Sequence, residues 1–119
     1  MTDNTRHHNA LLNRVLVRMC ELGCLVWHAK VGKFRMLRSE HVVSVGIKGM
    51  ADIVGWLPDG RGICVEIKTG SGRQSPAQRV WQLACVRCGV VYIVVRSVDE
   101  FEAWFLRYTA TRHEPERRD

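Results

Sequence analysis

Apolar residues near the start of the chain recur at helical spacing. Leu11, Leu12, Val15, Leu16, Met19 and Leu22 form one stripe, which predicts an amphipathic helix from about Thr5 to Leu22, ended by Gly23. "CLVWH" (Cys24–His28) has the length and side chains of a short strand. Regularity then fails over "AKVGKFRMLRSEHVVSVGIKGM", which reads as a loop or loose ribbon with a short strand at His41–Val45. "ADIVGWL" and "GICVEIKT" are strands joined by the turn residues "PDG". Next, Ser75 is placed as an N-cap, Pro76 as the first helical residue, and Gln78 completes a capping box. This second helix runs to Gly89. The continuous run "VVYIVV" (Val90–Val95) predicts a strand buried on both faces. "SVDE" (Ser97–Glu100) is a second capping box, opening a helix to about Tyr108. The strand–helix–strand unit from Ile63 to Val95 should be parallel, with a right-handed crossover. The sheet is therefore mixed, flanked by helices in the order α-β-β-β-α-β-α. The expectation is one domain over 1–119, with its core at 5–108 and a flexible tail at 109–119.

The "PDG" turn tests the register of the hairpin. A three-residue loop built as a type I turn plus a left-handed residue suits Pro58, Asp59 and Gly60 in that order. Leu57 then faces Arg61, and Asp52 faces Glu66. Strand alternation puts Ile53, Gly55, Leu57, Ile63, Val65 and Ile67 on one face, and Asp52, Glu66 and Lys68 on the other. Cross-strand neighbours lie ~5 Å apart and diagonal ones ~7 Å. Two carboxylates that close repel unless a cation sits between them. Either Lys68 or a divalent metal answers that need; oxygen donors at this separation suit Mg²⁺ or Mn²⁺ rather than zinc. Gly46, Gly49, Gly70 and Gly72 flank the acids and would let a ligand approach the backbone closely.

Charge adds a partner. The chain has 119 residues and a formal net charge of +6, with a pI near 9.4, and a small basic domain commonly meets a polyanion. The irregular segment carries Lys30, Lys33, Arg35, Arg38 and Lys48 against one acid, Glu40, and reads as phosphate-facing. The five cysteines show no disulfide-scaffold spacing and read as reduced thiols. Cys20, Cys24, Cys85 and Cys88 would be the ligands of a zinc-binding alternative, but the helical placement of Cys20, Cys85 and Cys88 favours core roles for those three. No apolar run approaches the ~18–20 residues of a membrane span. The polar N-terminus lacks a signal-peptide apolar region, so the expected compartment is the cytoplasm.

At these residues the sequence resembles the VRR-NUC domain, a branch of the PD-(D/E)xK, restriction-endonuclease-like nucleases. The resemblance is carried by G-x-x-D-I-x-G around Asp52, E-x-K at Glu66–Lys68, S-P-x-Q at Ser75–Gln78, and "VVRSVDE", over roughly residues 46–100. It implies Mg²⁺- or Mn²⁺-dependent hydrolysis of DNA phosphodiesters. Asp52, Glu66 and the backbone carbonyl of Ile67 would hold the metal. Lys68 would orient or activate water, and Gln78 would stand beside the active site. Lys30, Lys33, Arg35, Arg38, Lys48 and Arg73 are the expected DNA contacts. Family members carry a glutamate early in the first helix; here the aligned position is Asn9, the candidate first-helix ligand, which adds no charge. His7 and His8 lie close by as compensating donors. Small members of the family are associated with phages, act on branched or flapped DNA and pair as homodimers, with Trp81 and Trp104 as core residues or interface anchors. The alternative reading is a DNA-binding module that keeps the fold and has lost cleavage.

Overall fold

The computed structural model describes residues 2–29, 32–35, 37 and 40–112. Helix α1 spans Asp3–Glu21. Strands β1 (Leu25–His28), β2 (Gly32–Arg35), β3 (Val42–Val45), β4 (Ile53–Trp56) and β5 (Gly62–Ile67) follow. Helix α2 (Pro76–Arg87), strand β6 (Val91–Val95) and helix α3 (Val98–Thr111) complete the order. The main sheet has the strand order β1-β4-β5-β6, so it keeps the expected α-β-β-β-α-β-α arrangement. The irregular segment, which lies between β1 and β4 in the sequence, adds a separate antiparallel ribbon, β2–β3. The strand expected at His41–Val45 is β3. Lys30 and Arg38 fall outside the described residues.

Local sequence explains the boundaries. Thr2 caps α1 by accepting from the Thr5 N–H. At its other end Gly23 takes φ +93°. The Cys24 N–H reaches the Met19 carbonyl and the Gly23 N–H reaches that of Cys20, the two bonds of a Schellman ending. Gly89 and Val90 repeat that pattern after α2, donating to Val86 and Cys85. The Ser75–Gln78 capping box is formed in both directions. The expected box at α3 is half formed: Ser97 accepts from the Glu100 N–H, but the Glu100 carboxylate takes the N–H of Arg96, one residue earlier. Helix α3 runs to Thr111, three residues past the expected end, and residues 113–119 lie outside the described residues.

The hairpin register is as expected. Ile53 pairs with Val65 and Trp56 with Gly62. Gly60 sits at φ +91° and donates to the Leu57 carbonyl at 2.8 Å, closing the type I turn. Asp59, inside the turn, is also an anchor: its carboxylate accepts from Tyr108 Oη at 2.6 Å and Arg112 Nε at 3.0 Å, tying the hairpin to α3.

Helices α1 and α3 cover one face of the sheet, where Leu12, Val15, Met19, Ile53, Ile63, Val65, Ile67 and Phe101 form the main core. Helix α2 covers part of the other face over a smaller cluster of Ala51, Val54, Cys64 and Cys85. Trp104 packs against the first cluster and Trp81 against the second. Strand β6 departs from expectation. It is parallel to β5, but it lies at the sheet edge, and only Val95 in it is fully buried. A β-branched run marks a strand, not its depth in the sheet. All five cysteines are free; Cys85 is core, whereas Cys20 and Cys88 are exposed, against the expectation that helix placement would bury them.

Candidate active site

Two acids meet where β5 ends. Asp52 lies one residue before β4, and its backbone carbonyl accepts from the Ala29 N–H at 2.8 Å, which fixes it to the end of β1. Its Oδ2 accepts the Ile67 N–H at 2.8 Å, so the side chain closes the hairpin ladder where the strands part. Glu66 points to the opposite face from Ile63, Val65 and Ile67 and is 2 % exposed. Its Oε2 accepts from Gln78 Nε2 at 2.6 Å and faces Lys68 Nζ at 3.3 Å. Its Oε1 is buried and has no hydrogen-bond partner. Burial, then the charge of Asp52, push the Glu66 carboxyl up to about 7 against the pull of Lys68. One lysine does not balance two acids this close.

Gln78 holds three neighbours from the first turn of α2. Its Oε1 accepts the Ser75 N–H at 2.8 Å, the return half of the capping box. The same oxygen accepts from Lys68 Nζ at 3.0 Å, and its amide nitrogen serves Glu66. Cap and site are thus one side chain. A glycine brings this helix in close: a Cβ at Gly49, φ +86°, would lie 2.3 Å from the Ala77 carbonyl oxygen. Gly49 therefore serves packing against α2 rather than a ligand's approach, whereas Gly70, φ +56°, faces open space.

A further residue comes from α1. His8 Nε2 lies 3.1 Å from the Ile67 carbonyl oxygen and 3.4 Å from Asp52 Oδ2. Asn9, the sequence-based candidate, is exposed one residue on. The signal for His8 was present in helical phase: it stands four residues before Leu12 and seven before Val15, both buried.

The basic candidates separate. Lys48 and Arg73 are exposed. Lys33 and Arg35 lie on strand β2 of the ribbon, opposite Ser44 and Val42. Arg73 lines a cavity of about 460 Å³ beside Lys68, together with Arg79, Arg96 and one acid, Glu100. Sequence reasoning missed Arg79 and Arg96. Arg96 directly follows β6, at the carboxyl end of a parallel strand, where open α/β sheets place their ligands. Its guanidinium donates to the carbonyls of Gly70 and Gly72, holding the loop after Lys68.

Among the described residues, no three His, Cys, Asp or Glu side chains form a ready metal cluster. The donor set fits a hard divalent cation all the same, because it is two carboxylates and a backbone carbonyl, with one buried carboxylate oxygen unpaired. No described helix is long and apolar enough to cross a membrane. A family model described as VRR-NUC domain matches residues 16–99, which takes in Asp52, Glu66, Lys68 and Gln78 and leaves out His8. No curated protein and no solved structure matches the chain significantly.

Proposed function

Because the chain belongs to the VRR-NUC domain family, nucleases of the restriction-endonuclease-like superfamily, we propose that it is a Mg²⁺- or Mn²⁺-dependent endonuclease acting on DNA. The observation that carries this reading is Glu66: a buried acid with an unpaired oxygen, set beside Asp52 and next to a lysine. That arrangement is costly in a merely structural hairpin. Asp52, Glu66 and the Ile67 carbonyl would hold the cation. The cation supplies Lewis acidity toward water and the scissile phosphate. Lys68, steadied by Gln78, directs its N–H groups at the attacking water and at charge developing on the phosphorane. Gln78 keeps Glu66 Oε2 fixed, so the carboxylate does not reorganise during the reaction. Arg73, Arg79 and Arg96 line the approach and receive neighbouring phosphates.

The finer features belong to the same proposal. The preferred substrate is branched, flapped or single-strand-containing DNA, processed during replication, repair or recombination of a phage or mobile element, in the cytoplasm of the host. The active form is a homodimer. Leu25, Trp27 and Trp56 support pairing with a second copy: they are exposed on the sheet, with the two indoles 5.8 Å apart. A domain this small also spans few base pairs alone.

The test is cleavage of supercoiled, single-stranded and branched DNA with each metal, comparing wild type with Lys68→Ala. The expected result is loss of at least about 100-fold in rate, with the thermal midpoint held within a few degrees. Equal cleavage by both proteins, or none by either with any substrate, overturns the nuclease reading and leaves a DNA-binding module.

A further inference from the structure

The geometry points to His8 as a nitrogen ligand of the metal site, one that biases this chain toward Mn²⁺ and away from Mg²⁺. The inference rests on the proposal that Asp52, Glu66 and the Ile67 carbonyl bind a divalent cation. The argument begins with position. His8 lies on the inward face of α1, in phase with Leu12, Val15 and Met19, so the helix that forms the main core also fixes where this ring goes. The ring is partly shielded, with 31 % of its side chain exposed. Its Nε2 enters the notch between two oxygens, the Ile67 carbonyl at 3.1 Å and Asp52 Oδ2 at 3.4 Å. Both oxygens belong to the donor set.

The spacing that now serves a hydrogen bond also suits two adjacent ligands of one ion. Adjacent ligands in an octahedral shell of ~2.1 Å radius lie about 3.0 Å apart. The separations of Nε2 from the two oxygens are close to that. As found, Nε2 donates to the carbonyl, since a carbonyl only accepts. Ligation uses the neutral tautomer with the proton on Nδ1 and the Nε2 lone pair toward the ion. An imidazole in place of an oxygen donor favours a transition metal over Mg²⁺, which prefers oxygen and geometrically strict shells. It also leaves the site one negative charge poorer than a third carboxylate would.

The experiment measures binding rather than turnover. Mn²⁺ bound to the metal-stripped full chain is counted by electron paramagnetic resonance, and Mg²⁺ by its competition for the same site. Wild type is compared with His8→Ala, His8→Asp and Glu66→Gln, each checked for an intact thermal transition. His8→Ala is expected to weaken Mn²⁺ binding by about tenfold or more and Mg²⁺ by less than about threefold. His8→Asp should reverse the preference toward Mg²⁺. The spin echo of Mn²⁺ on wild type should carry modulation from a directly bound nitrogen, absent in His8→Asp. If His8→Ala weakens both ions equally, or neither, or the nitrogen modulation is missing, His8 is not a ligand. Those results leave the metal site standing so long as Glu66→Gln still abolishes binding. If wild type binds neither ion, or Glu66→Gln binds as well as wild type, the metal-site reading fails and the inference with it.

Discussion

Glu66 shows how one residue carries a conflict between folding and chemistry. Its carboxyl is buried on the side of the sheet where Lys68 and Gln78 supply partial support, and it is held up to about 7, against an ordinary value of 4.5. Between those two values the folded chain keeps a proton that the unfolded chain has lost. Stability of the metal-free protein should therefore fall as pH rises from 4.5 to 7 and level off above. The full cost of ionising Glu66 is up to ~3 kcal/mol. We predict that urea unfolding in a chelator gives a midpoint that declines over this window for wild type. Glu66→Gln should flatten that decline and stand above wild type at pH 8. Adding Mn²⁺ at pH 8 should restore wild type and leave the variant unchanged. A wild-type profile that is flat, or a variant that follows it, would mean that the buried acid is not the source.

Helix α2 joins a local rule to the active site, because Gln78 is both a capping residue and the bridge between Glu66 and Lys68. Two substitutions separate these roles. Ser75→Ala removes the cap and leaves the bridge, so it should cost about 1 kcal/mol of stability and little cleavage. Gln78→Ala removes the bridge and the return half of the box but keeps Ser75 Oγ on the N–H of residue 78, and should cost no more stability but tenfold or more in cleavage rate. Chemical denaturation and single-turnover cleavage read the two effects; equal cleavage losses would show that only the helix start matters. Much at this scale was legible in the chain. "PDG" set the hairpin register and hence the meeting of Asp52 with Glu66, and the Ser75 and Gly89 signals bounded α2. What was not legible needed neighbours. Glycine beside the acids reads as room for a ligand, yet Gly49 is filled by the backbone of α2. Whether "VVYIVV" lies inside the sheet or at its edge depends on the strand order, which no local pattern encodes. His8 stood behind Asn9 as a compensating donor because alignment by residue type favoured Asn9, while helical phase, set by Leu12 and Val15, favoured its neighbour.

At the scale of the whole molecule, the excess of positive charge matters through where it gathers. Beside Lys68 the cavity brings together Arg73, Arg79 and Arg96 against Glu100. These cations are not equivalent. Arg96 is engaged with the Gly70 and Gly72 carbonyls, and Arg79 with the Gln74 carbonyl, so removing either disturbs the loop or the start of α2. Arg73 is exposed on the loop itself, and its loss should leave the fold alone. That makes it the clean probe of phosphate contact. In a Lys68→Ala background, which prevents cleavage, binding of a labelled branched duplex should weaken steeply with salt. Each neutralised phosphate contributes about 0.9 to the slope of log K against log salt. Adding Arg73→Ala should reduce that slope by about 1 and weaken binding to every DNA sequence alike. A sequence-dependent loss would instead make Arg73 a reader of bases. An unchanged slope would take DNA off this side of Lys68 and direct the search to the ribbon, where Lys33 and Arg35 lie on β2.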